Sequence, residues 1–380
     1  MNRASTVGVL AVAALIAAPA RADINIGVSV SATGPAASLG IPERNTIALL
    51  PTTVAGEKLN YIVLDDATDP GQATKNARKL VSEDKVDVLI GSSGVPGCAA
   101  MAGVAEETGT PHVALAPLDL PPAKGAWTFR TPQHVSLMAK ALAGHMGQAG
   151  VKTLGFIGYN DPYGESWLRE ITVAAESAGI KLVDVERYAR TDTSVTGQAL
   201  KLVAARPDAI IIAGSGTPAA LPHATLAERG YKGQIYQTHG AANKEFLKIG
   251  GKAVEGGILP VGAVVAAAQL PDSHPSKKVA LDYVKTYEDK YGAGTASSFG
   301  GHAYDAFKLV ERAIPVALKK AKPGTPQFRQ ALRDAIESEK EIAGVHGVFN
   351  MSAADHFGLD ERARVLVRVE NGDWKLLSAK

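Results

Sequence analysis

From residue 24 to about residue 240, short runs of β-branched and aliphatic residues alternate with segments whose apolar positions recur every three or four residues. That rhythm predicts parallel α/β architecture, because each extended run must be covered by a helix before the next strand can lie beside it. A first series of strands is expected at Ile24–Val30, Tyr61–Leu64, Val86–Ile90 and His112–Ala116. A second is expected at Leu154–Gly158, Lys181–Tyr188, Asp208–Ala213 and Gln234–Gln237. Between strands, Asp69-Pro70 supplies an N-cap with proline at the first helical position, and Ala73, Ala77, Leu80 and Val81 then follow at helical spacing to about Glu83. Trp167, Ile171, Ala174, Ala175 and Ala178 repeat the pattern ahead of Gly179. Two similar α/β halves are predicted.

Beyond about residue 260 the pattern turns helical, over Pro275–Lys290, Gly301–Lys320 and Pro326–Ser338. A hairpin then closes the chain, with Arg364–Val369 and Trp374–Leu377 joined through Asn371-Gly372, a strong type I′ signal. No heptad, collagenous or low-complexity stretch interrupts this plan.

Residues 1–22 have a different pattern. Arg3 precedes an apolar run from Val7 to Ala18, followed by Pro19 and Ala20-Arg21-Ala22. The run is shorter than the roughly 20 residues that span a bilayer, and small residues stand where a signal peptidase reads, so a cleavable secretory signal is expected and the mature chain should start at Asp23. The 358 residues that remain of 380 suit two domains rather than one core. Removing Arg3 and Arg21 leaves 38 basic residues against 38 acidic ones, a balance that advertises neither nucleic acid nor an anionic membrane. The lone Cys98 cannot form an internal disulfide, so packed cores must supply the stability.

Several local sequences carry a resemblance. They are Ile24-Asn-Ile-Gly-Val-Ser-Val-Ser-Ala-Thr-Gly-Pro-Ala-Ala-Ser-Leu-Gly40, Leu64-Asp-Asp-Ala-Thr-Asp-Pro-Gly-Gln72, Leu89-Ile-Gly-Ser92, Tyr159-Asn-Asp-Pro-Tyr-Gly164 and the block Phe299–Ala306. In this order, across essentially the whole mature chain, they resemble the leucine/isoleucine/valine-binding family of periplasmic solute-binding proteins. The resemblance implies the type I periplasmic-binding fold, an α/β fold of two doubly wound parallel-sheet lobes joined by three crossovers, with a ligand held between them. Lobe 1 should comprise residues 23–131 and 271–350, and lobe 2 residues 134–261 and 358–380, with crossovers near 131–134, 261–271 and 350–358. Open parallel sheets favour the same place on physical grounds, since loops and helix N-termini beyond the strands' carboxyl ends offer unpaired N–H donors.

Candidate ligand contacts come from those strand ends. Ser92, Ser93 and Gly94 close a strand ahead of Pro96, and their hydroxyls and amides suit a carboxylate; the resembling family uses a serine here. Tyr163 and Phe299 occupy positions where the family places aromatics against the ligand. Ser215, Gly216 and Thr217 form another loop entering a helix, equally readable as a structural cap. Leu39 stands where relatives carry a larger aromatic, which implies a roomier wall.

The departure at Gln237-Thr-His-Gly240 bears most on specificity. Amino-acid-binding relatives place an acid at the position of His239, where it pairs with the ligand's ammonium. A histidine can instead donate to a carboxylate, hydroxyl or keto oxygen, and can carry positive charge near neutral pH. Ala116–Leu120 also lacks the small residues and threonine of those relatives, although Asp119 offers itself as a replacement acid. These departures imply an acid without an amino group, with benzoate derivatives and aryl keto acids leading because some relatives with similar openings bind them. The remaining readings are an amino-acid-binding protein and a sensor that presents its ligand to a receptor.

No Gly-x-Ser-x-Gly elbow, Walker A loop or His-Glu-x-x-His pair is present, and His134 and His145 are too far apart to share a helix face as ligands. The expectation is a monomeric, periplasmic, non-enzymatic component of an ABC importer. Its partners would be a small carboxylate and the membrane permease subunits, with no cofactor, metal or nucleic acid.

Overall fold

A computed structural model describes residues 23–378; the expected signal segment lies outside that range. In chain order the first half contains β1 (Ile24–Val30), α1 (Ala37–Ile47), β2 (Thr53–Val54), β3 (Glu57–Asp65), α2 (Pro70–Ser82), β4 (Val88–Gly91), α3 (Val95–Thr108), β5 (His112–Ala114) and β6 (Thr128–Arg130). They form a six-stranded sheet ordered β2-β3-β1-β4-β5-β6, parallel except for the β2 edge.

A second sheet is built from α4 (Val135–Gln148), β7 (Thr153–Tyr159), α5 (Pro162–Ser177), β8 (Lys181–Tyr188), α6 (Thr196–Ala205), β9 (Ala209–Ala213), α7 (Ala220–Glu228), β10 (Gln234–Gln237), α8 (Lys244–Gly250) and β11 (Ile258–Val261). The chain then returns to the first sheet with α9 (Lys277–Tyr291), α10 (Ser298–Leu318) and α11 (Pro326–Glu337). After a two-stranded ribbon of β12 (Ile342–Ala343) and β13 (Val348–Phe349), it finishes with β14 (Val365–Glu370) and β15 (Asp373–Ser378) on the second sheet. That sheet is ordered β15-β14-β11-β10-β9-β7-β8, with β14 and β15 antiparallel. Three passages between sheets make each lobe discontinuous in sequence. This is the type I periplasmic-binding fold.

The local devices follow the sequence closely. Asp69 Oδ1 accepts from Gln72 N at 2.6 Å with Pro70 opening the helix, and Asp161 Oδ1 accepts from Tyr163 N and Gly164 N at the head of α5. Asn371 and Gly372 both have positive φ, 55° and 71°, as the type I′ turn between β14 and β15 requires. In lobe 1 the sheet is covered on one face by α10 and α11 through Phe307, Leu309, Phe328 and Leu332, and on the other by α2 and α3 through Ala77, Leu80 and Met101. A third apolar cluster runs from Cys98 and Ala102 of α3 to Trp167 and Ile171 of α5, and so ties the lobes together.

α1 is one of the elements the apolar spacing did not reveal. It contains Gly40 and Pro42 and has little amphipathic contrast, yet it packs along α10 and presents Leu39 and Glu43 on its buried side. Gly40 lets it lie directly on the end of β1: a Cβ there would fall 2.2 Å from the carbonyl of Ser31. Gly40→Ala must therefore push α1 outward. It is expected to cost about 1–3 kcal/mol, the usual penalty of overpacking, and to displace Leu39 and Glu43; a lower urea midpoint with an unchanged m-value would register it.

Candidate functional site

Both sheets reverse strand order around their first strand, and each reversal opens a crevice at the strands' carboxyl ends. In lobe 1 the crevice lies between β1 and β4 and receives the starts of α1 and α3. In lobe 2 it lies between β7 and β9 and receives the start of α5 and the loop after β9. The two crevices face each other across a narrow interlobe cleft.

Leu39, Ser93, Gly94 and Phe299 line this cleft from lobe 1, and Tyr163, Ser215 and His239 from lobe 2. Phe299 packs with Leu39 and Ala36 in a small apolar cluster. Tyr163 is held in place through its hydroxyl, which bonds Thr238 Oγ1 at 2.8 Å while Thr238 in turn donates to Gly214 O. Its ring is therefore what the cleft meets. Trp167 stands behind His239 at 5.6 Å between ring centroids.

Three sequence expectations need correction. Ser92 lies beside the cleft rather than on its wall, and its hydroxyl is committed to Asp66 Oδ2 at 2.6 Å. Thr217 lies at the lip, where its backbone N–H donates to Ser38 Oγ of the opposite lobe. Asp119 is engaged elsewhere. It accepts from Ser166 Oγ at 2.8 Å and pairs with His134 and Arg169, outside the residues lining the cleft. Burial alone would raise its carboxyl, but hydrogen bonds from His134, Ser166 and Arg169 win and hold it well below the usual range.

His239 also differs from expectation in its charge. Burial, reinforced by His346, drives its pKa down to about 3, so the imidazole is neutral. Neither of its ring nitrogens has a partner. His302, on α10, enters the cleft with Nδ1 likewise unpartnered and with burial, then His346 and His239, lowering its pKa. It stacks on His346 at 3.7 Å, and His346 Nδ1 is bound to Asp305 at 2.8 Å. Buried polar atoms without partners are costly and uncommon, and these two imidazoles bring three of them to one cleft.

Arg190 was not foreseen. It follows β8, and its guanidinium lies over the Tyr159 ring at 4.1 Å, donating to Asp161 Oδ2 at 2.6 Å and to Ser215 Oγ at 2.9 Å. It lines the cleft opposite Gly94, where α3 begins without any side-chain cap. An uncapped helix start and a guanidinium, the latter paired with Asp161, thus share one cleft wall. The only clue in the sequence was a lone arginine just past a strand end. No acid lines the cleft, and Asp161, in the neighbouring crevice, spends both oxygens on the α5 cap and Arg190. Among the described residues, no group of His, Cys, Asp and Glu is arranged to hold a metal.

Residues 23–373 match the family model described as periplasmic binding protein. The Leu/Ile/Val-binding protein homolog 7 of Brucella abortus (strain 2308) is 26% identical over 324 residues, 80% of each chain. An extracellular ligand-binding receptor from Rhodopseudomonas palustris is 50% identical, with a TM-score of 0.92 over 94% of this chain and 99% of its own. A solute-binding protein of an R. palustris ABC transporter, solved in complex with benzoate, is 20% identical with a TM-score of 0.77 over 94% and 96% of the two chains. With its fold, cleft and family match in agreement, the chain belongs to the periplasmic binding protein family, as a type I ligand-binding receptor of the leucine/isoleucine/valine-binding kind.

Proposed function

We propose that the protein captures a small aromatic acid, a benzoate derivative or an aryl keto acid, between its lobes and delivers it unchanged to the permease of an ABC importer. The observation that carries this reading is the charge of the cleft wall, which includes Arg190 and an uncapped helix start but no acid. The carboxylate belongs between them, with the Ser93 hydroxyl alongside. The ring belongs against Tyr163, Phe299 and Leu39. His239 and His302 then meet a hydroxyl or keto oxygen with nitrogens that otherwise lack partners.

An α-amino acid fits this wall poorly. Its ammonium would be buried with no carboxylate to receive it, at a cost of several kcal/mol. In a thermal-shift screen, benzoates and aryl keto acids should raise the melting temperature while leucine, isoleucine and valine leave it unchanged. The opposite pattern would refute the assignment.

Arg190→Met should weaken binding of the best acid by about 1.5–3 kcal/mol, the scale of a hydrogen bond to a charged group. Tyr163→Ala and Phe299→Ala should each cost roughly 1–3 kcal/mol. Calorimetric titration measures all three, and wild-type affinity in any of them removes that residue from the site. Contacts from both lobes also favour the closed arrangement. Small-angle scattering should show a smaller radius of gyration with the acid at saturation, and an unchanged radius would contradict the transport mechanism.

A further inference from the structure

Under Ser93 lies a carboxyl group that the reading above does not use. Glu43 of α1 is fully buried, its Oε2 is hydrogen-bonded with Ser93 Oγ, and its Oε1 has no partner. Asp66, its acidic neighbour, is provided for quite differently. It accepts from Ser31 Oγ and Ser92 Oγ at 2.6 Å each, from Thr68 N at 3.0 Å and from Ser29 Oγ at 3.3 Å. Four donors can sustain a buried carboxylate; one cannot.

The groups facing Glu43 offer no relief. Asp66 adds like charge from the loop after β3, and Cys98 of α3 is a buried thiol whose own pKa is pushed up by burial. On the side where α9 and α10 cover α1, Tyr283 bonds Thr46 Oγ1 at 2.9 Å, and the buried His302 is kept uncharged. No cation contributes at this carboxyl, and burial, opposed by the Ser93 hydrogen bond and helped by Asp66, holds it well above the usual carboxylate range.

The hydrogen count at Ser93 then decides what the cleft sees. A hydroxyl has one hydrogen and two acceptor positions, and Ser93 Oγ already accepts from Ser31 N at 2.9 Å. Were Glu43 ionised, the Ser93 hydrogen would turn down to it, leaving no donor for a bound anion. We propose that Glu43 is a proton-holding positioning residue: as a neutral acid it donates to Ser93 Oγ and so turns the Ser93 hydrogen toward the carboxylate of a bound acid. This rests on the reading that such an acid lies against Ser93. The cleft thus carries a conditional donor, present only while the buried carboxyl keeps its proton.

The test uses benzoate as the probe on the full mature chain, with affinities measured from about pH 5 to about pH 9. Ser93→Ala should lose roughly tenfold to a hundredfold in affinity at neutral pH, the scale of a hydrogen bond to a charged group. Wild-type affinity should fall by up to about tenfold per pH unit once Glu43 ionises, and Glu43→Gln, whose amide donates at every pH, should lack that decline. An infrared difference spectrum between wild type and Glu43→Gln, taken without benzoate at neutral pH, should contain a protonated carboxyl band. A carboxylate band in its place, an unchanged affinity in Ser93→Ala, or an alkaline decline that persists in Glu43→Gln overturns the proposal. If benzoate binds to none of the proteins, the substrate reading fails, and the infrared band still decides whether Glu43 holds the proton.

Discussion

Strand order is the constraint on which the molecule depends. A parallel strand ends in backbone groups that its neighbours do not satisfy, and where two adjacent strands send their chain in opposite directions no helix can cover the gap. β1 with β4, and β7 with β9, make one such gap in each lobe. Discontinuous lobes then bring the gaps face to face, because the chain crosses three times and neither lobe can be completed without the other. Leu39, Ser93 and Gly94 on one side, and Tyr163, Ser215 and Arg190 on the other, are near one another for that reason alone.

Polar groups around this cleft fall into two kinds. Some are fully satisfied by the protein, as with Asp66 under its four donors or Asp119 beside Ser166 and Arg169. Others are left incomplete: both nitrogens of His239, Nδ1 of His302 and Oε1 of Glu43. The first kind fixes shape. The second leaves buried polar atoms without a partner, each at a cost in solvation.

Periodicity made most of the fold legible. Lys181–Tyr188 and Gln234–Gln237 are strands at the expected residues, and the turn at Asn371-Gly372 has the backbone its sequence demands. α1 was hidden because a glycine and a proline sit inside it for reasons of close packing. The site was less legible, since its chemistry depends on partners far along the chain. Ser92 resembles an available hydroxyl until Asp66, 26 residues earlier, takes it. Arg190 becomes part of a site only when β8 sets it beside Asp161, 29 residues earlier. Asp119 looked free because nothing in its own loop foretells Arg169, 50 residues on.

The lip contact between Thr217 N–H and Ser38 Oγ joins the lobes without touching what lies between them. Any such bond contributes to shutting the empty protein as much as the loaded one, and apparent affinity scales with the fraction of molecules already in the competent shape. A contact of this kind multiplies the response to every ligand by the same factor. Changing that one bond would therefore alter how readily the lobes stay together while leaving every group on the cleft wall in place.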